Sequence, residues 1–170
     1  MEEIVEQKQF IAAYDEFADS IFRHCYFRVS DREIAKDLAQ ETFTKTWDYL
    51  VRGGTIQNIK AFLYRTAHNL IIDHYRRKKT DSLDALMEDG FEPKDVGESP
   101  LQYSERKEVI AVLEQMDSEY RNVLTMRYLE ELSPKEIAEI TGEKENTISV
   151  RIHRGLKKLK EQFDSPPQHS

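Results

Sequence analysis

Arg65, Asn69 and Arg76 recur at helical spacing, with His68 near them and Tyr64 and Tyr75 on the flanks. Cations that can follow phosphates, interleaved with rings that can stack on bases, suit single-stranded nucleic acid. Further along, Asn146, Ser149, Val150, His153, Arg154 and Lys157 form the outward side of a second helix. That side lacks acids over its central turns, whereas a merely solvated face mixes signs. Its apolar Val150 gains nothing from water but can touch a thymine methyl, so the face fits duplex DNA read from the major groove. A third constellation is acidic: at 100° per residue Asp37, Glu41 and Asp48 fall within about 40° of one another, with Gln40 beside them. Such a stripe suits a basic partner.

Catalytic chemistry has less to work with. His68, Asp73 and His74 in "HNLIIDH" suggest a metal site, but on a helix the two imidazoles point about 120° apart and the carboxylate another way. No glycine-rich phosphate loop and no nucleophile elbow occurs, so no enzyme, no metal and no cofactor is expected. Cys25 is the sole cysteine, which excludes an internal disulfide and a thiolate cluster; between His24 and Tyr26 it reads as a small buried hydrophobe.

Helices must position these groups. Ser133, Pro134 and Glu136 make a capping box with proline at the first helical position. Ile137, Ala138 and Ile140 form the apolar side of that helix, Thr141-Gly142 breaks it, and another starts near Glu145. On the latter, Ile148, Ile152, Gly155, Leu156, Leu159 and Phe163 turn to the core, which predicts a helix-turn-helix. Upstream, Phe10, Tyr14, Phe17, Ile21 and Cys25 mark a first helix. Asp31 starts a second that runs through Ile34, Leu38, Phe43 and Trp47 to Leu50, where Gly53-Gly54 ends it. A third, about Ile59 to Lys79, buries Phe62, Leu63, Thr66, Ala67, Leu70, Ile71 and His74. Two more are predicted around Val109, Val112, Leu113 and Met116, and around Tyr120, Val123, Leu124 and Tyr128. No run alternates as a half-buried strand does.

Charge divides the chain the same way. The net charge of −7 argues against a polyanionic partner only until its distribution is considered. Residues 51 to 79 carry seven cations against Asp73, and residues 145 to 160 carry five against Glu145, while 80 to 120 carry twelve acids against three cations. With screening over about 8 to 10 Å, nearby charges decide what a surface binds. The stretch "TDSLDALMEDGFEPKDVGESP" has too few apolar residues to fold alone. The expected architecture is therefore all-α: two small helical domains, residues 7–79 and 105–163, joined by a flexible acidic linker, 80–104, with a disordered tail "DSPPQHS". With 34% of its 170 residues charged, the chain has no run approaching the roughly 18 apolar residues of a membrane span. Met1-Glu2-Glu3 lacks the basic start of a secretory signal, so a cytoplasmic protein is expected.

These motifs carry a resemblance. "SPKEIAEITGEKENTISVRIHRGLKKL" resembles the promoter-reading C-terminal domain of the extracytoplasmic-function sigma factors, the small two-domain bacterial sigma subunits. "DREIAKDLAQETFTKTWDYL" resembles their core-binding helix and "NIKAFLYRTAHNLIIDHYRRKK" their promoter-melting helix, in the family's order. The resemblance covers about residues 10–79 and 105–163. It implies a region 2-like domain followed by a region 4-like domain, with core RNA polymerase (its β′ and β subunits) and promoter DNA as partners, and it admits an anti-sigma factor as another. It implies that Asp37, Gln40 and Glu41, on the stripe with Asp48, grip the β′ coiled coil. Tyr64, Arg65, His68, Asn69, Arg76 and Arg77 would serve the minus-10 element, Asn69 matching a position that helps hold a flipped non-template base, with the Val51 to Asn58 loop completing the pocket. Asn146, Ser149, Val150, His153, Arg154 and Lys157 would serve the minus-35 element. Two positions depart from the family pattern: Val150 stands where a small polar residue is frequent, and Gly155 replaces a common Ala at a helix-propensity cost of about 1 kcal/mol.

Two other functions compete on the residues alone. An autonomous DNA-binding regulator would use only the helix-turn-helix, leaving the acidic stripe and the basic-aromatic helix without purpose. An adaptor that binds only protein would show no salt-dependent DNA affinity.

Overall fold

The computed structural model of the chain describes residues 2–85 and 111–164, with side chains from 4 to 80 and from 111 to 162. Every regular element among them is helical, as the periodicity requires, and they fall into two units on either side of Val96 and Gly97.

In the first unit α1 (Glu2–Val29), α2 (Arg32–Val51) and α3 (Ile59–Ala85) pack against one another. Ser30 takes a left-handed φ of 53° and its N–H donates to Tyr26 O at 2.9 Å, closing α1. The Asp31 carboxylate then accepts from Ile34 N at 3.0 Å and opens α2, as its position before an apolar periodic run predicts. Ile21, Cys25, Ala35, Leu50, Leu63 and Ala67 form the buried centre, so Cys25 is the small hydrophobe expected. Two threonines, Thr42 and Thr46, are equally buried; their hydroxyls donate to Leu38 O and Thr42 O at 2.8 Å each, which satisfies them within α2.

Gly53 and Gly54 end α2 for different reasons. Gly53 has a φ of 90°, a backbone conformation that disfavours a Cβ. Gly54 instead lies against the Tyr49 ring, where a Cβ would stand 2.4 Å from Cε1. That ring also meets Phe62 at 5.0 Å between centroids, so the loop leading into α3 is pinned from both ends. Helix α3 continues to Ala85 rather than ending near Lys79, so the start of the expected linker is helical. The rest of that linker, Val109, the Phe163 side chain and the tail lie outside the described residues.

In the second unit, helical residues 111–114 precede α4 (Ser118–Leu124), a π-helical turn (Thr125–Leu129), α5 (Pro134–Thr141) and α6 (Glu145–Asp164). The core contains Leu113, Met116, Val123, Leu124, Met126, Leu132, Ile137 and Ile148. The π turn shifts the register after Leu124: Thr125 and Met126 turn inward, and Tyr128, expected inside, is 52% exposed.

Candidate functional site

The helix-turn-helix forms from the local signals its sequence carries. Glu136 N donates to Ser133 Oγ at 3.1 Å while Ser133 N donates to Glu136 Oε1 at 3.0 Å, the reciprocal capping box. Gly142 ends α5 at a φ of 77°, its N–H donating to Ala138 O at 2.9 Å. Helix α6 buries Ile148, Ile152 and Gly155. A Cβ at Gly155 would meet Leu124 Cδ1 at 3.2 Å, so this glycine permits α4 and α6 to approach closely, a packing benefit set against its poor helix propensity. Leu156, expected in the core, is 37% exposed, because it lies beside Ser149 at the margin of the buried sector.

All six residues expected on the outward side of α6 are exposed: Asn146, Ser149, Val150, His153, Arg154 and Lys157. Val150 is 42% exposed in the middle of this polar face. No carboxylate lies between Glu145 and Glu161 on the helix. Lys158 points elsewhere, its amine 4.8 Å from the centroid of the Tyr120 ring.

The expected face of α3 divides. Arg65, Asn69 and Arg76 are exposed and lie within about 40° of one another, with the exposed Ile72 beside them. His68 is half-buried at the edge, its ring centroid 6.2 Å from that of His24. Tyr64 departs from expectation: it is 2% exposed, edge-on to His24 at 5.2 Å, and a ring buried there offers no face to a base. Its wheel position, about 20° from Ile71, puts it on the core sector. The Tyr75 hydroxyl donates to Arg28 O on α1, so that ring is tethered although exposed. Arg77 also leaves the group, since it lines a cleft of about 320 Å³ between α2 and α3 together with Asp37, Glu41, Lys45, Asp73 and His74.

That cleft borders the acidic stripe, whose Asp37, Gln40, Glu41 and Asp48 are all exposed. Burial first, and Lys78 second, pull the pKa of His74 below its ordinary 6.5 against the opposing pull of Asp31. Because the unfolded chain takes up that proton first, the folded unit loses stability as pH falls through 6.5 toward the lower value. Gln40 faces another way. It lines a groove of about 600 Å³ between α1 and α2 with Phe10, Ile11, Tyr14, Phe43 and Trp47. Tyr14 and Ile11 are exposed there, Trp47 is half-buried, and Phe10 touches Trp47 at 5.1 Å between centroids. Sequence reasoning read Phe10 and Tyr14 as markers of the first helix and Trp47 as one of the second, and missed that they leave an apolar groove beside Gln40.

Among the described residues no group of His, Cys, Asp and Glu is arranged to hold a metal ion, and no helix is long and apolar enough to cross a membrane.

Comparison with known proteins follows the same division. Residues 13–80 match the model of sigma-70 region 2 and residues 106–159 that of sigma-70 region 4. The chain is 31% identical over 173 aligned positions to the ECF RNA polymerase sigma factor SigW of Bacillus subtilis, covering 93% of this chain and 90% of that one. It is 30% identical to the RNA polymerase sigma factor YlaC of the same organism, covering 86% of this chain and 87% of the relative. Among solved structures, the fold resembles the sigma factor RpoE of Bartonella quintana, crystallised with the anti-sigma factor NepR, at a TM-score of 0.70 and 21% identity over 93% of this chain and 99% of that one. It also resembles CnrH, solved with the cytosolic domain of CnrY, at 0.67 and 20% over 93% and 89%. The region 2 match accounts for the N-terminal half that an autonomous regulator leaves idle, and the SigW alignment spans both halves. With sigma-70 regions 2 and 4 both matched in order and a relative 31% identical over both, the chain belongs to the extracytoplasmic-function family of RNA polymerase sigma factors.

Proposed function

We propose that the three exposed helix faces divide a sigma factor's work. The stripe of Asp37, Gln40, Glu41 and Asp48 binds the β′ subunit of core polymerase, with the apolar groove beside Gln40 extending the surface. The Arg65, Asn69 and Arg76 face of α3, with His68 at its edge, holds the unpaired minus-10 strand. The outward face of α6 reads the minus-35 element as duplex. Tyr64 drops out of the DNA-contacting set for its burial, while the exposed Arg77 lies apart from the Arg65, Asn69 and Arg76 face, beside the cleft. Region 2-like work belongs to residues 7–79 and region 4-like work to 105–163, in a cytoplasmic protein without catalysis of its own. The neighbour RpoE, solved with the anti-sigma factor NepR, supports a partner of that kind for this chain also.

One observation carries the reading: every predicted outward residue of α6 is exposed, on a helix whose side chains from Asn146 to Lys160 include no carboxylate. A surface that selects against anions only where a polyanion would lie is designed for contact rather than for solubility. The test mixes the full chain with core polymerase and follows co-elution and promoter-specific transcription. A regulator would bind DNA without programming the polymerase, and an adaptor would do neither with DNA.

The melting role has its own test. Asn69 is exposed, and its amide can both donate and accept at a base edge. Asn69→Ala is expected to weaken capture of a single-stranded minus-10 oligonucleotide by about tenfold and to slow open-complex formation, leaving duplex minus-35 binding unchanged. Equal loss on both DNAs would mark a folding defect instead.

A further inference from the structure

The helix that presents the minus-35 face also carries an arginine turned away from it. Arg151 lies about 100° around α6 from Val150, whereas Arg154 lies about 40° from it. Its guanidinium closes on Glu143 in the helix-turn-helix turn: Nη1 donates to Oε1 and Nη2 to Oε2, both at 2.7 Å. The pair thus spans eight residues, from the turn to the second turn of α6, in the fork geometry that an arginine and a carboxylate make best. Hydrogen bonding from Arg151, before any other influence, holds the Glu143 carboxyl below its ordinary pKa; the Arg151 guanidinium is raised in return, with Glu119 and Tyr120 of α4 adding to the pull. Arg151 is thereby bound into the turn on one side and near α4 on the other.

Stability alone does not account for such a pair. Both partners are partly exposed, and exposed ion pairs contribute little to stability. Its location suggests a different task. Glu143 precedes the N-terminal end of α6, the end by which a recognition helix approaches bases. A free carboxylate there would face the phosphates that Lys157 is meant to attract, and would let the turn relax.

We propose that Arg151 is a positioning residue for minus-35 reading and makes no DNA contact itself: clamped to Glu143, it fixes the turn and cancels the carboxylate at the reading end of α6. The inference rests on the assignment of α6 to the minus-35 element.

Holoenzyme assembled with each full-length variant is titrated onto promoter fragments at several salt concentrations. Arg151→Gln is expected to weaken binding on the order of tenfold, because it releases an anion toward a polyanion. Adding Glu143→Gln to the same chain, or exchanging the pair as Glu143→Arg with Arg151→Glu, is expected to recover binding to within about threefold of the parent, since each removes the isolated carboxylate. The salt slope of the Glu143→Gln, Arg151→Gln chain should equal the parent's. If Arg151 instead binds a phosphate, that chain stays as weak as Arg151→Gln alone and its slope falls by about 0.9, and the proposal is overturned. Arg154→Ala runs alongside: if it leaves binding and base preference untouched, the assignment of α6 fails and takes this inference with it. Loss after Arg154→Ala without rescue at Glu143 overturns the positioning role alone.

Discussion

A chain carrying Asp37→Lys and Glu41→Lys is expected to lose core-polymerase binding by a factor of about 100 or more, because like charges brought together at an interface cost on the order of several kcal/mol. Both side chains are exposed on α2, so the reversal does not empty the core. It does place new cations beside Lys45 and Arg77 in the cleft between α2 and α3, and local repulsion there has to be separated from the loss of a partner. The neutral pair Asp37→Asn with Glu41→Gln makes that separation, since it removes attraction without adding repulsion and should fall between the parent and the reversal. Co-elution with purified core enzyme is the readout, with the duplex minus-35 affinity of the isolated C-terminal segment as the control. That control should not change, because no residue of α2 belongs to it. If the reversed chain co-elutes undiminished, the stripe is not the polymerase surface and the apolar groove lined by Ile11, Tyr14 and Trp47 becomes the one to test.

What the sequence disclosed, and what it withheld, follows the range of the forces involved. Asp31, Ser133 with Glu136, and Gly142 act within four residues of themselves, so their caps and breaks were readable and occur where expected. The same holds for the outward face of α6, because 100° per residue is enough to separate Val150 from Ile148 once one side is known to be buried. Errors arise where a second element decides. Tyr64 is an exception, since its wheel position beside Ile71 already put it on the core sector, where His24 of α1 meets it. Tyr128 turns outward because the π turn inserts a register shift that apolar spacing cannot announce. Arg77 and Arg76 are neighbours in sequence with different surroundings, one among the carboxylates of α2 and the other beside Asn69. The apolar groove by Gln40 and the Arg151 to Glu143 clamp depend on how two segments meet, which no single-helix wheel contains. The family resemblance supplied the order of the two regions.

The largest effects on promoter choice are expected from α6, where the outward residues should divide by role. Arg154→Ala is expected to cost on the order of 1 to 3 kcal/mol at one or two positions of the minus-35 element and little elsewhere, because a lost base-edge contact penalises only the base that made it. Val150→Ala should relax discrimination too, but only where a thymine methyl lies against it. Lys157→Ala should behave differently: a phosphate contact carries no sequence information, so binding weakens evenly across promoter variants and the salt slope becomes shallower by about 0.9. Lys158 looks equivalent in sequence but is a poorer probe, since its amine sits over the Tyr120 ring and its removal disturbs the contact of α4 with α6 as well as charge. The measurement is a matrix of single-base promoter variants at two salt concentrations for the parent, Arg154→Ala and Lys157→Ala. Distinct base profiles with distinct slopes fit a recognition helix on which Arg154 reads a base and Lys157 holds the backbone. Identical profiles and slopes for the two variants would mean that the whole face acts as an unspecific cationic surface, and that minus-35 selection resides in another part of the chain.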